Sequence, residues 1–91
     1  MPNQPKREDV TEFVLTQIAD IFDLDKDYIA ADPNLRFRQD LHARSMQYFP
    51  LISMIEDEYD LYIDTPHFQL ECATVGDCPG YVMKLYEDQH S

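Results

Sequence analysis

Residues 40–63 read DLHARSMQYFPLISMIEDEYDLYI and hold the strongest helical pattern in the middle of the chain. Apolar side chains recur there every third or fourth residue, at Met46, Phe49, Ile52, Ile55 and Tyr59, and Leu51 and Met54 widen the stripe. This spacing predicts one apolar helix face. Because Pro50 lacks the N–H that a helix interior needs, we expect the helix to start at residues 46–48 or to be kinked, and to run to about Tyr59.

The same periodicity indicates helices on either side. The first is expected over residues 8–22, where Glu8 and Asp9 suit the positive end of the helix dipole. Its apolar stripe comprises Val10, Phe13, Val14, Ile18, Ile21 and Phe22. A short helix is expected over residues 66–71. A last helix follows the capping-box-like residues 74–77 and is expected to end near Asp88.

No segment has a convincing strand pattern, and residues 23–44 form a long non-periodic connection between the first two main helices. The sequence therefore predicts an all-α fold, a bundle of three main helices plus one short helix, with a long loop between helices one and two. We expect a flexible segment over residues 1–7, one domain over residues 8–88 and a tail over residues 89–91.

Composition narrows the possible functions. The 91 residues include 18 acids and seven Lys or Arg, for a net charge of −11. A chain this short forms one thin core without a deep active-site cleft, and its charge opposes binding to nucleic acid. The charge is uneven, since residues 1–32 carry −5, residues 33–55 carry +2 and residues 56–91 carry −8.

Targeting signals and cysteines point to an ordinary intracellular context. The most apolar stretch, residues 48–55, is far shorter than the ~20 residues of a membrane span, and no signal region follows the N-terminal charges. We therefore expect a cytoplasmic, monomeric protein. Cys72 and Cys78 are predicted to be free thiols, with a local disulfide as the alternative.

Three groupings imitate known sites. Asp23, Asp25 and Asp27 begin like a calcium loop, but an EF-hand needs Gly and Glu where this chain has Tyr28 and Asn34. The set of Asp40, His42 and Ser45 offers the chemistry of a hydrolase triad, although one short segment of so small a chain rarely supplies such a site. The set of His67, Cys72 and Cys78 has weak metal-ligand spacing. We expect none of the three to be functional.

Ser45 is the residue with the clearest functional potential, because it lies where the long loop meets the central helix. It could be an ordinary N-cap serine. It could also carry a phosphodiester, because the free N–H groups and dipole at a helix N-terminus stabilise an anion. Arg44 could then add a charge-assisted hydrogen bond.

The run Asp40-Leu-His-Ala-Arg-Ser45-Met46 resembles the acyl carrier proteins, which have Asp-Leu-Gly-x-Asp-Ser-Leu followed by an acidic, apolar-striped helix. The resemblance covers about residues 8–88. It implies that Ser45 receives 4′-phosphopantetheine from coenzyme A through a phosphopantetheinyl transferase, with His42 and Arg44 flanking the phosphate. The chain would then catalyse nothing itself. Acyl-processing enzymes would dock on a face formed by Met46, Tyr48, Phe49, Glu56 and Asp57.

The chain departs from the family pattern close to Ser45. His42 stands where the family has Gly, Arg44 where it has Asp, and Gln47 and Pro50 where it has acids. These differences motivate an alternative hypothesis, in which Ser45 stays unmodified. The domain would then be a protein-interaction module that docks through Arg36, Arg38 and Arg44 or through the Tyr48–Phe49 surface.

Overall fold

The computed structural model describes residues 5–90, and the all-α prediction is confirmed for them. Five helices follow one another: α1 (Arg7–Phe22), α2 (Lys26–Ala31), α3 (Ser45–Tyr59), α4 (Thr65–Glu71) and α5 (Asp77–His90). The described residues contain no strand, only an isolated antiparallel bridge between Arg36 and Thr74. Across residues 5–90, no helix is both long enough and apolar enough to cross a membrane.

The ends of α1 and α3 are built by the same local device. Each helix stops at an aspartate in the left-handed conformation, Asp23 after α1 and Asp60 after α3, both with φ of 54°. The N–H groups of each aspartate and of the leucine that follows it, Leu24 and Leu61, donate to one carbonyl in the last helical turn. These bonds satisfy backbone groups that a helix end otherwise leaves open.

One apolar core joins the helices. α1 packs against α5, α3 and α2, and α4 packs against α3. The most deeply buried side chains come from every helix and from the connections between them. They are Val10, Val14 and Ile18 of α1, Ile29 of α2, Leu51 and Ile55 of α3, Phe68 of α4, Cys78 and Val82 of α5, and Phe37, Cys72 and Val75 of the connections.

The segment before α3 is fixed against the connection between α4 and α5. Phe37 N–H donates to Ala73 O at 3.2 Å, and Val75 N–H donates to Leu35 O at 2.8 Å. Gly76 N–H also donates to Pro33 O at 2.8 Å, and a Cβ on this glycine would lie 2.8 Å from the same oxygen. This close approach explains the glycine. Together, these hydrogen bonds hold the segment that precedes Ser45 against the connection between α4 and α5.

Several predicted boundaries change. The connection over residues 23–44 was expected to be a loop, but Lys26–Ala31 form α2, so five helices replace the predicted four. Asp25 starts α2 by accepting a hydrogen bond from Asp27 N–H at 2.8 Å, and a helix of fewer than two turns is too short to show helical periodicity. Arg7 belongs to α1, and Gln89 and His90 to α5; residues 1–4 and Ser91 lie outside the described part.

The predicted start of α3 at residues 46–48 is wrong, and only part of its predicted apolar stripe is buried. The helix begins at Ser45 and contains Pro50 as its sixth residue, on the exposed side. Its buried face consists of Tyr48, Leu51, Ile52 and Ile55. Met46 and Phe49, which were expected on that face, are 81% and 71% exposed. Two overlapping apolar stripes run along this helix, and packing against α1 and α4 selects the one that contains Tyr48.

Candidate functional site

Ser45 lies exposed as the first residue of α3, and Arg44, not Ser45, is the N-cap residue. The side chain of Gln47 caps this end, because its Oε1 accepts the Arg44 N–H at 2.8 Å. Gln47 N–H in turn donates to Arg44 O at 2.8 Å. The Ser45 and Met46 N–H groups are therefore the two first-turn donors that helix geometry leaves for another acceptor. The interpretation of Ser45 as an ordinary N-cap is wrong.

His42 adopts the left-handed conformation, with φ of 56°. This region favours glycine, although histidine occurs there more often than most residues. His42 is exposed, so the conformation follows from the backbone path and not from burial of the ring. The path is set by Ala43 N–H, which donates to Phe37 O at 2.8 Å and turns the chain into α3.

Asp40 is used to build the turn that leads to Ser45. Its Oδ2 accepts the Arg36 N–H at 2.8 Å and lies 3.6 Å from the Arg36 Nε. Asp40 N–H also donates to Arg36 O at 2.9 Å. The Asp40 carboxylate is thus committed to Arg36. It is not orienting His42 towards Ser45, as a triad would require.

The predicted docking face is only partly available. Tyr48 is 2% exposed and packs against Phe37 and Phe68 with ring centroids 5.8 and 6.1 Å away. Its assignment to a docking surface is therefore wrong, because the core requires its ring. Glu56 is half-buried, and its Oε2 accepts the Ile63 N–H at 2.8 Å.

The other three predicted docking residues, Met46, Phe49 and Asp57, are exposed on α3. They share the helix side opposite the core face, since each helical residue turns about 100° from the last. Exposed apolar side chains as large as Met46 and Phe49 beside Ser45 form a surface that another protein could cover. The exposed part of the predicted docking face is therefore smaller than the sequence suggested.

A cleft that sequence reasoning missed lies between the segment before α3, α3 itself and α4. Its volume is about 240 Å³, and Arg36, Arg38, Tyr48 and Gln69 line it. Arg38 donates to Gln69 Oε1 at 3.4 Å. Burial raises the pKa of Tyr48, and the Arg38 charge opposes that rise. The only signal in the sequence was the alternation of apolar and basic residues over residues 35–38, which places Arg36 and Arg38 on the same side of the segment.

A second polar cluster joins α4 to α5. His67 Nδ1 lies 2.9 Å from the Tyr81 hydroxyl, and Phe68 packs edge-to-face on the Tyr81 ring at 5.5 Å. Burial, together with negatively charged neighbours, raises the pKa of Tyr81 to about 12. Cys72 and Cys78 are free thiols, as predicted, and both are fully buried.

The two thiols contribute to the packing of the core. The Cys78 Sγ lies 3.9 Å from Thr74 O, and burial first, then its hydrogen bond with Cys72, raises the pKa of Cys78 well above its usual value. A buried, protonated thiol is a poor nucleophile and a poor metal ligand. Nowhere in residues 5–90 do three His, Cys, Asp or Glu side chains gather in a way that could hold a metal ion.

No protein-family model matches the chain, and no curated protein matches it significantly. The candidate site is defined by the geometry alone, as the residues that the structure places around the start of α3. It contains an exposed hydroxyl on Ser45, open N–H donors beside it, two arginines in an adjoining cleft and two exposed apolar side chains. This arrangement can hold an anion and present a covalently attached group.

Proposed function

We propose that the protein is a specialised, free-standing acyl carrier that carries 4′-phosphopantetheine on Ser45. Residues 8–88 would then have the fold of the acyl carrier family. The observation that carries the proposal is the position of Ser45, exposed at the first position of a 15-residue helix. A phosphodiester there would be stabilised by the dipole of α3 and the open N–H groups of the first turn. The attached group would supply a terminal thiol that holds acyl groups as thioesters.

The conformation of His42 supports the same reading. In the resemblance, His42 takes the place of the family's glycine, and its φ of 56° lies in the region that glycine favours. The chain therefore turns into α3 with a backbone conformation suited to glycine, although the side chain differs. Arg44, exposed and adjacent to Ser45, would bind the phosphate through its guanidinium.

Partner recognition would differ from that of an acidic carrier. The docking face beside Ser45 consists of Met46, Phe49 and, further along α3, Asp57, so it is largely apolar. A transferase or acyl-processing enzyme that fits it needs an apolar or mixed groove, not a purely basic one. The carrier itself would catalyse no reaction, and we expect it to act as a cytoplasmic monomer.

The proposal is tested by incubating the purified protein with coenzyme A and several phosphopantetheinyl transferases, then measuring its intact mass. We expect a gain of one phosphopantetheinyl group, which Ser45→Ala abolishes. Ser53→Ala is the matched control, because Ser53 is an exposed serine in the same helix. A protein that no transferase modifies, or a gain that survives Ser45→Ala, contradicts the proposal.

A second candidate is an unmodified interaction module, and the exposure of Met46 and Phe49 favours it. Buried Tyr48 no longer contributes, so such a module would dock through Phe49 and the three arginines at 36, 38 and 44. Binding of a purified partner by the Ser45→Ala variant, together with loss of binding in Phe49→Ala, would support this candidate. Binding only by the modified protein would contradict it.

A further inference from the structure

The first three turns of α3 form an uncharged surface in a strongly charged protein. The chain has 18 acids and seven Lys or Arg, but none of them lies over residues 45–55. Met46 and Phe49 are largely exposed there, and Pro50 and Ser53 are exposed with them. These four side chains lie within about 100° of one another around the helix axis. They form an exposed, mainly apolar stripe of the kind that marks a contact with another molecule.

The charges that border the start of this stripe are basic. Arg44 is the N-cap residue of α3, and Arg36 and Arg38 line the cleft beside the first turn of the helix. Among the described residues, no acid lines that cleft. Asp40 is the only acid over residues 33–55, and it is bonded to Arg36. The stripe therefore begins beside a net positive charge.

The rest of the molecule has the opposite balance. Lys84 and Arg7 line a cleft together with Glu71 and Asp77, so acids border these two cations. The parts of the chain before and after the basic segment carry −5 and −8. An acidic surface would be repelled by these parts and attracted at the start of α3, which would fix the orientation in which it docks.

Resting on the proposed function, we infer that the start of α3 docks into an apolar groove with an acidic rim on the partner enzyme. Met46 and Phe49 would enter the apolar floor of the groove, and carboxylates on its rim would pair with Arg38 and Arg44. Ser45 lies between Arg44 and Met46 in the sequence, so the same contact would present its hydroxyl to the enzyme. A basic groove would instead meet like charge at the attachment residue.

An anionic lipid surface also combines negative charge with an apolar interior, but the far end of the stripe opposes it. Asp57 lies on the same side of α3 as Met46, and its neighbour Glu58 is also exposed. A helix that lies in a membrane interface presents Lys and Arg along its polar face. Here the two carboxylates would be pressed against anionic headgroups, whereas a protein groove contacts only the first turns of the helix.

The test uses one purified phosphopantetheinyl transferase in two versions, with a docking groove lined by Lys and Arg or, after charge reversal, by Glu. The carrier has Ser45→Ala, so that binding is measured by calorimetry without group transfer. We expect the acidic version to bind about tenfold or more tightly than the basic version, with an affinity that falls as salt is added.

Substitutions in this Ser45→Ala background assign the effect to the start of α3. Arg38→Glu and Arg44→Glu should each abolish the preference for the acidic version, and Phe49→Ala should weaken binding to both versions. Lys84→Glu is the matched control, because it reverses a charge in a cleft of α5 that acids already border. It should keep the preference.

Equal affinity for the two versions, tighter binding to the basic version, or no binding to either overturns the inference. Binding to vesicles of equal parts phosphatidylcholine and phosphatidylglycerol, lost in Phe49→Ala, would assign the surface to a membrane and also overturn it. These outcomes leave the carrier function intact, because the intact mass of the protein with Ser45 in place tests it separately. If that mass shows that Ser45 is never modified, the proposed function fails, and the inference of a partner enzyme fails with it.

Discussion

The two polar clusters of this protein use similar side chains in opposite ways. In the α4–α5 cluster, defined by His67, Cys72, Cys78 and Tyr81, each polar group is bonded to another part of the chain or buried. In the cluster at the start of α3, defined by Arg38, His42, Arg44 and Ser45, the side chains are exposed. The comparison teaches that a reactive side chain is available to a ligand or partner only where the fold leaves it exposed.

Tyr48 and Phe49 test this comparison most severely, because adjacent aromatic residues have opposite environments. Tyr48→Ala should lower the free energy of unfolding by about 3–5 kcal/mol, since it removes a ring from the centre of the core. Phe49→Ala should change it by less than about 0.5 kcal/mol, because the ring lies in solvent. Chemical denaturation monitored by circular dichroism measures both.

A larger effect of Phe49→Ala than of Tyr48→Ala would show that α3 packs in the register first expected from its sequence. Tyr48→Phe serves as the control for shape, because it keeps the ring and removes only the hydroxyl of a residue that lines the cleft. It should cost no more than about 1.5 kcal/mol.

Substitution of Tyr81 tests the α4–α5 cluster. Tyr81→Phe removes the hydrogen bond to His67 and should cost about 0.5–1.5 kcal/mol at neutral pH. The folded state holds the Tyr81 pKa at about 12, above the 10.0 of an unburied tyrosine. The unfolded chain therefore loses this phenolic proton first, so the contribution of Tyr81 is complete below pH 10 and is lost as the pH rises through 12.

Absorbance at alkaline pH reports this transition directly. Spectrophotometric titration of the folded protein should include a tyrosinate step near pH 12 that is missing in Tyr81→Phe. A variant that loses only a step near pH 10 would show that Tyr81 is not engaged with α4. His67→Gln, which removes the imidazole partner but not the burial of the ring, should retain most of the elevation.

His42 gives the smallest expected change. The left-handed conformation costs a residue with a Cβ about 1–2 kcal/mol, whereas glycine adds unfolded-state entropy worth roughly 0.5–1 kcal/mol. His42→Gly should therefore stabilise the protein by about 0.5–1 kcal/mol in thermal or chemical denaturation. His42→Ala retains the strain and should give no gain. Equal stability of the two variants would contradict the left-handed geometry at the entrance to α3.

The parts of the fold that were predicted correctly depend on neighbours in sequence. The helical class, the 66–71 helix and the acidic first turn of α1 follow from spacing and capping over a few residues. Thr74 and Asp77 illustrate the point, because the Asp77 carboxylate accepts the Thr74 N–H at 3.2 Å as the capping pattern predicted. Ser45 was likewise identified from its place before an apolar helix.

The sequence by itself thus determined four of the five helical segments and the place of Ser45 where the loop meets α3, since hydrogen bonds and caps within a helix join residues a few positions apart. Only the tertiary structure decided which stripe of α3 is buried and that Tyr48 belongs to the core while Phe49 does not. It alone brought Arg38 to Gln69, 31 residues away. Such choices depend on packing between distant segments, which local periodicity does not encode.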